Sequence, residues 1–529
     1  MKVAFLTEVG CVRRGPFTPM LHAKFVFVAT LLFSAVFAIA AHAAAPAASR
    51  PNIIFVLTDD QGYGDISAHG NPVLKTPHLD ALRTQSVRFM DFQVSPTCAP
   101  TRSALLTGRH EFKNGVTHTI YERERLALNA TTLAEVLKGA GYTTGIFGKW
   151  HLGDEAAYQP GRRGFDEVFI HGGGGIGQSY PGSCGDAPGN TYFDPAILHN
   201  GMFEKTAGYC TDLFFAQAIR WIEKVKARGG PFYAHISPNA PHAPYTARPQ
   251  DAALYRGKTP DEATANFFGM IHNIDENVGR LMAKLDAWGI ARDTLVVFMN
   301  DNGGVVGTKV FNAGMRAQKG TPWLGGVRAS SFWRWPARWQ PADVMALAAH
   351  IDFFPTIAEI AGATLSPALR TQVEGRSLVP LLEKPDALWA ERVLFTHVGR
   401  WPKGGDPAPA KYKNCAVRDS RWKLVSIDGG AAPAWQLFDL VNDRGEKTNV
   451  AAQNPDVAQR LAASYESWWS EVQPMLVNEK VTGPRLNPFA ELYWKQFGGG
   501  PTPEQLRTMD PARELPEGGG AAAAKKKKS

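Results

Sequence analysis

Two unbroken apolar stretches, each ending abruptly in acidic and amide side chains, constrain the fold of this chain more than any other feature. Ile53-Ile54-Phe55-Val56-Leu57 runs into Thr58-Asp59-Asp60-Gln61-Gly62, and Leu295-Val296-Val297-Phe298-Met299 runs into Asn300-Asp301-Asn302-Gly303-Gly304. Apolar runs without polar alternation suit parallel strands covered on both faces. The sequence between them supplies the cover. Thr132 is placed to cap a helix running to residue 138, closed by Gly139 and Gly141, and a strand over 143–147 follows at once. Helical periodicity over 213–226 precedes a strand over 232–236, and an amphipathic helix over 267–285 leads into the second acid-ended strand. This alternation predicts an α/β fold, a large mixed, mostly parallel sheet sandwiched by helices.

At 529 residues there is chain for a second domain. Composition shifts after Leu381-Leu382; short strands over 393–396, 422–427 and 435–440 and a helix over 455–472 predict a smaller C-terminal α+β domain. The expected division is a signal peptide over 1–43, the α/β domain over 44–385, the α+β domain over 386–482, and a polar Pro/Gly-rich, partly disordered tail over 483–529. Lys24, the apolar run over 25–41 and the small-x-small step Ala41-His42-Ala43 read as an export signal, with Met20 an alternative start. The run is short for a membrane span and no charged stop follows, so a secreted or periplasmic protein without a stable span is expected.

The net charge of +8 invites a nucleic-acid reading until it is located. Residues 1–43 carry +3 and the lysines at 525–528 carry +4, leaving about +1 on the body. A nucleic-acid binder needs its basic stripe on the folded body, so no nucleic-acid partner is expected. Export would remove Cys11 and leave Cys98, Cys184, Cys210 and Cys415. Four exported cysteines suggest bridges, and Cys184 and Cys210 flank one loop-rich segment where they can pair; spacing leaves that open.

In open α/β sheets, ligands bind at the carboxyl ends of strands. Brought together there, Asp59, Asp60, Asp301 and Asn302 present hard oxygen donors, which select Ca²⁺ or Mg²⁺ over zinc. Taken singly, each cluster also reads as a turn. The adjacent Asp59-Asp60 pair goes further, because neighbouring carboxylates repel unless a cation holds them.

Cys98-Ala99-Pro100-Thr101-Arg102 is followed by Ser103-Ala104-Leu105-Leu106-Thr107-Gly108-Arg109. This string resembles the sulfatase signature, in which C-x-P-S/T-R directs oxidation of the cysteine to formylglycine. The resemblance extends from about residue 50 to 450. Gly148-Lys149-Trp150-His151-Leu152-Gly153 resembles the second signature, Asn239-Ala240-Pro241-His242 a segment supplying a substrate-side histidine, and Lys319-Gly320-Thr321 with Gly325-Gly326-Val327-Arg328 the lysine segment. Leu437-Phe438-Asp439-Leu440 and Gly445-Glu446 resemble the closing domain.

The resemblance implies an alkaline phosphatase-like fold and hydrolysis of sulfate monoesters, releasing inorganic sulfate and an alcohol or phenol. It implies one divalent cation, Ca²⁺ before Mg²⁺, held by Asp59, Asp60, Asp301, Asn302 and the modified Cys98. Hydrated formylglycine offers one hydroxyl for attack on sulfur and a second that re-forms the aldehyde and expels sulfate. Asp301 can take the proton from the attacking hydroxyl, and Arg102 and Lys149 fix formylglycine. His151 removes the second hydroxyl's proton, Lys319 and His242 contact sulfate, and His242 serves as acid for the leaving group. The implied partners are a sulfated small molecule or carbohydrate and a formylglycine-generating maturation enzyme. A phosphate or phosphonate ester hydrolase of the same superfamily is the alternative, although that chemistry usually pairs a Ser or Thr nucleophile with a histidine-rich metal site. Asp275 reads as a structural carboxylate, Gly172 to Gly175 as a flexible loop at the pocket mouth, and residues 170–202 and 305–317 as mouth loops.

Overall fold

The computed structural model describes residues 50–508 together with Gly10, Gly15 and Asp510. The expected signal peptide and the terminal lysines lie outside the described residues. No helix among the described residues is long and apolar enough to cross a membrane.

The first acid-ended run is the strand Asn52–Thr58, and it lies at the centre of a ten-stranded sheet. Thr294–Asn300 flanks it on one side and Phe232–Ser237 on the other, followed by Thr143–Lys149 and Glu167–His171, all parallel. Antiparallel pairings flank this centre: Ser331–Arg334 beside Thr294–Asn300, with Val87–Phe89 and Ala342–Val344 beyond it, and Ala196–His199 with Met202–Lys205 beyond Glu167–His171. Alternate side chains of the central strand serve two cores, as a strand covered on both faces requires. Ile53, Phe55 and Leu57 pack in one core with residues of the helices Cys98–Thr107, Leu133–Gly139 and Phe353–Ile360. Ile54 and Val56 pack in the other with residues of Pro77–Thr84, Cys210–Arg228 and Glu262–Ala287.

The helix expected after Thr132 forms as Leu133–Gly139, with a capping box between Thr132 and Glu135. Asp275 is structural as expected. Its carboxylate accepts the amides of His78 and Leu79 at 3.2 and 2.7 Å, satisfying the orphan N–H groups that open Pro77–Thr84.

The C-terminal strands form a four-stranded antiparallel sheet, Leu394–His397, Lys413–Arg418, Trp422–Asp428 and Gln436–Asp439. Helix Pro455–Val472 covers it through Leu461, Tyr465, Trp468, Trp469 and Val472. The described residues from Pro51 to Thr508 pack as one compact unit. The expected tail departs from expectation where Pro488–Phe497 forms a helix capped by Asn487, whose Nδ2 also donates to Ser183 O at 3.0 Å. Phe489 of that helix is buried in the main core, against Phe203. The pairing of Cys184 with Cys210 that spacing leaves open is not formed: Cys98, Cys184, Cys210 and Cys415 are all free and buried. The Cys184 Sγ faces Thr119 O at 3.8 Å, whereas the Cys210 Sγ faces Asn239 Oδ1 at 3.6 Å.

Candidate active site

The register of the two acid-ended strands builds the site. Thr58 pairs with Asn300, so Asp59-Asp60 and Asp301-Asn302 leave the sheet side by side at its carboxyl edge. Asp301 N donates to Thr58 O at 3.1 Å, and Asp60 N donates to Asp301 Oδ1 at 3.1 Å. Gly303 has to be glycine, since a Cβ there would lie 1.9 Å from Gly325 O. Gly148 likewise passes so close to the neighbouring strand that a Cβ would meet Ser237 O at 2.1 Å. That approach carries Lys149 and His151 to the same edge.

Cys98 opens the helix Cys98–Thr107, whose ten residues are all buried, and Gly108 ends it in the left-handed conformation. Cys98 Sγ and carboxylate oxygens of Asp59 and Asp301 lie within 4.8 Å of one another. One turn on, Arg102 donates from NH2 to Asp301 Oδ2 at 2.7 Å and from NH1 to Ser237 Oγ. Lys149 Nζ donates to Asp59 Oδ2 at 2.6 Å. Asp60 and His151 hold left-handed φ angles of 68° and 59°, a strain that buried, functional positions tend to carry.

The electrostatics leave negative charge unsettled. Burial, with Lys149 opposing and Asp60 adding, pushes Asp59 up to about 6. Burial and the neighbouring Asp59 push Asp301 up to about 6 as well. Burial would raise Asp60 too, but Lys319 and His242 outweigh it and hold that carboxyl well below the usual range. Cys98 is pushed up by burial and pulled down further by Lys149 and Lys319, so its thiol lies below the usual value. The buried oxygens Asp59 Oδ1 and Asn302 Oδ1 have no hydrogen-bond partner. Two orphan oxygens among clustered carboxylates fit one hard divalent cation held by Asp59, Asp60, Asp301, Asn302 and the residue at 98.

A pH dependence follows. A carboxylate with a raised folded pKa leaves the folded state holding the extra proton, so its stability contribution is complete below the unfolded value and fades as pH rises through the folded one. Without cation, the melting temperature should therefore fall between about pH 4 and pH 7 through Asp59 and Asp301. Saturating calcium should reduce that fall in a thermal-shift titration, and an identical slope with and without calcium would contradict the site.

Lys319 and His242 form the open side of the cluster, with side chains 15 % and 13 % exposed. Lys319 Nζ pairs with Asp60 Oδ1, and His242 Nε2 lies 3.7 Å from Asp60 Oδ2. His242 Nδ1 faces Ala243 O at 2.7 Å, and burial lowers the ring's pKa to about 4 although Asp60 raises it. The run Gly172 to Gly175 is buried wall: a Cβ on Gly174 would meet the His151 ring at 2.9 Å, and one on Gly175 the His242 Nδ1 at 3.0 Å. All ten expected residues thus converge on one sheet edge. Sequence reasoning missed Ser237, the partner of Arg102, although its position at the end of Phe232–Ser237 marked it. It also missed Glu124 and Thr119, which face His151 Nε2 at 3.2 and 2.8 Å.

A parallel-centred sheet with a cation-fitting carboxylate cleft at its carboxyl edge defines the alkaline phosphatase-like hydrolases, and known proteins narrow the class. The Sulfatase family model matches residues 51–363, and that of the N-sulphoglucosamine sulphohydrolase C-terminal domain matches residues 326–468. Arylsulfatase G of Mus musculus is 33 % identical over 436 residues, covering 73 % of this chain and 77 % of that one. Arylsulfatase A of Homo sapiens is 30 % identical over 465 residues, covering 78 % and 87 %. The crystal structure of Ps i-CgsB in complex with k-i-k-neocarrahexaose superposes with a TM-score of 0.71 at 27 % identity, over 84 % of this chain and 97 % of that one. The chain belongs to the sulfatase family and is a sulfuric ester hydrolase.

Proposed function

We propose that this protein hydrolyses sulfate monoesters of carbohydrates with a formylglycine made from Cys98 and a calcium ion held by Asp59, Asp60, Asp301 and Asn302. The observation that carries the reading is the meeting of Cys98 Sγ with Asp59 and Asp301 oxygens inside 4.8 Å, beside the orphan Asn302 Oδ1. When bound, the cation and hydrated formylglycine supply an activated oxygen nucleophile at neutral pH.

The chain's own residues do the rest. Arg102, anchored on Asp301 and Ser237, and Lys149, anchored on Asp59, fix the residue at 98 and balance negative charge. Asp301 takes the proton of the attacking hydroxyl. His151, with Nε2 facing the Thr119 carbonyl, keeps Nδ1 as its free lone pair and serves as base in sulfate release. Lys319 holds the sulfate oxygens, and His242, with Nδ1 committed to Ala243 O, turns Nε2 toward the departing oxygen. The solvent-open positions of Lys319 and His242 support their roles on the substrate side. The carbohydrate class is supported by the neocarrahexaose complex of Ps i-CgsB and by the C-terminal domain match. An export signal over 1–43 fits a secreted or periplasmic enzyme.

The test is mass spectrometry of the Cys98 peptide from active protein, which should carry an aldehyde that labels with hydrazide. Only free thiol in fully active enzyme would overturn the reading. Lys319→Ala should raise KM for an aryl sulfate about 10- to 100-fold with a smaller effect on kcat. Hydrolysis of matched aryl sulfate and aryl phosphate should favour sulfate, and a phosphate preference would favour the rival ester class.

A further inference from the structure

Beneath His151 lies a group that the reaction as described does not use. Glu124 ends the short turn Tyr121–Glu124, whose last three side chains are charged and which is nevertheless buried throughout. Distant partners hold it in: Lys403 pairs with Glu122 at 3.0 Å, and Arg123 reaches Glu479 at 3.0 Å and Trp401 O at 2.6 Å. Glu124 Oε2 thereby sits 3.2 Å from His151 Nε2, and Glu124, His151 and Cys184 bring their polar atoms within 4.8 Å of one another. Among the described residues Glu124 is the one carboxylate within ion-pair distance of His151.

Nε2 faces the Thr119 carbonyl at 2.8 Å, an acceptor only, so Nε2 carries the ring proton and Nδ1 is bare. Glu124 Oε2 lies 3.2 Å from the same nitrogen and has no hydrogen bond of its own, an unpaired buried acceptor beside the N–H that Thr119 O takes. We propose that Glu124 is a positioning residue that receives, through His151, the proton removed during sulfate release. A proton arrives on Nδ1, the Nε2 proton passes to Oε2 of Glu124 in its ionised form, which becomes a neutral acid, and the imidazole remains neutral in its other tautomer. Glu124 returns the proton to solvent as the ring resets, so nothing is oxidised or reduced.

The environment favours this destination. Burial, with Asp154 and Glu155 adding, raises the proton affinity of Glu124 well above the usual carboxylate range, although the Cys184 thiol and Arg125 oppose it. Burial, with Lys149, Arg102 and His242 adding, drops His151 well below the usual imidazole. His118 and His171 also lie within electrostatic reach of that ring. A buried imidazolium beside two cations is therefore disfavoured, and the carboxylate is the better resting place.

The inference rests on His151 being the base, so His151→Asn is measured beside it. Glu124→Gln keeps the shape and removes the acceptor. It should lower kcat about 10- to 100-fold with KM within about twofold, and should flatten the rise of kcat with pH that a high-affinity carboxylate imposes. In the His151→Asn background it should change kcat by less than about twofold, because a residue acting through His151 has nothing left to act on. A further readout needs no catalysis. In protein with unmodified Cys98, Glu124→Gln should gain melting temperature relative to the parent as pH rises from about 5 to about 9, since the parent must ionise a buried acid. If His151→Asn stays active, the assignment of His151 falls. If His151→Asn is inactive and Glu124→Gln keeps parental kcat and pH profile, the relay alone falls. Should Glu124→Gln fold poorly, Glu124→Asp decides: it keeps the acid, and the relay requires that it retain the pH-dependent rise in kcat.

Discussion

Replacing Cys98 with alanine is expected to reduce sulfate-ester turnover about 10⁴-fold or more, with a melting temperature within a few degrees of the parent. The side chain contributes little to packing, because its sulfur faces carboxylate oxygens of Asp59 and Asp301. Alanine is the best helix former, and Cys98 opens a helix already fixed by the burial of its ten residues. The carboxylates and Asn302 remain, so calcium-dependent thermal stabilisation should persist in the variant. Cys98→Ser sharpens the result. A serine hydroxyl can be sulfated but lacks the second oxygen needed for release, so that variant should complete at most one turnover. Steady-state activity of either variant above about 1 % of the parent would remove formylglycine from the mechanism.

Asp301→Asn is the second large effect. It keeps the shape of a residue whose Oδ1 accepts from Asp60 N and whose Oδ2 accepts from Arg102, but the amide offers one acceptor in place of two. It removes one negative charge from the cation cluster and the base assigned to the first proton transfer. Turnover should fall about 10³-fold or more, and the stabilisation by calcium should need a much higher ion concentration. Without calcium the variant should lose less stability than the parent as pH rises through about 6, because the carboxyl it replaces is pushed up to about 6 by burial and by Asp59. Asp301→Ala goes further: it removes both acceptors, leaving Asp60 N and Arg102 without this partner, which costs about 3 kcal/mol. The contrast between Asn and Ala separates loss of the cation from loss of the fold.

The parts of the site legible in the sequence are those fixed by local physics. Apolar runs locate buried strands, strand ends locate the ligand edge, and the clusters at 59–60 and 301–302 meet because Thr58 pairs with Asn300. Glu124 was illegible for the opposite reason. A Tyr-Glu-Arg-Glu string reads as solvated surface, and its burial depends on Trp401, Lys403 and Glu479, hundreds of residues away. The helix Pro488–Phe497 was hidden by Pro/Gly-rich surroundings that look structureless until Phe489 finds its place against Phe203. Cys184 and Cys210 share one loop-rich segment, yet one faces Thr119 and the other Asn239, a divergence that spacing does not encode.

The wholly buried helix Cys98–Thr107 also sets a deadline. Under the proposed chemistry, an enzyme that reads Cys98 to Arg102 has to grip them as extended chain, and the folded protein offers no such grip. Oxidation therefore races folding, and whichever finishes first decides each molecule's fate for its lifetime. A preparation is then a mixture of two permanent populations, whose ratio records conditions during synthesis. Specific activity in this protein would report how the chain was born, and later exposure to the maturation enzyme would not change it.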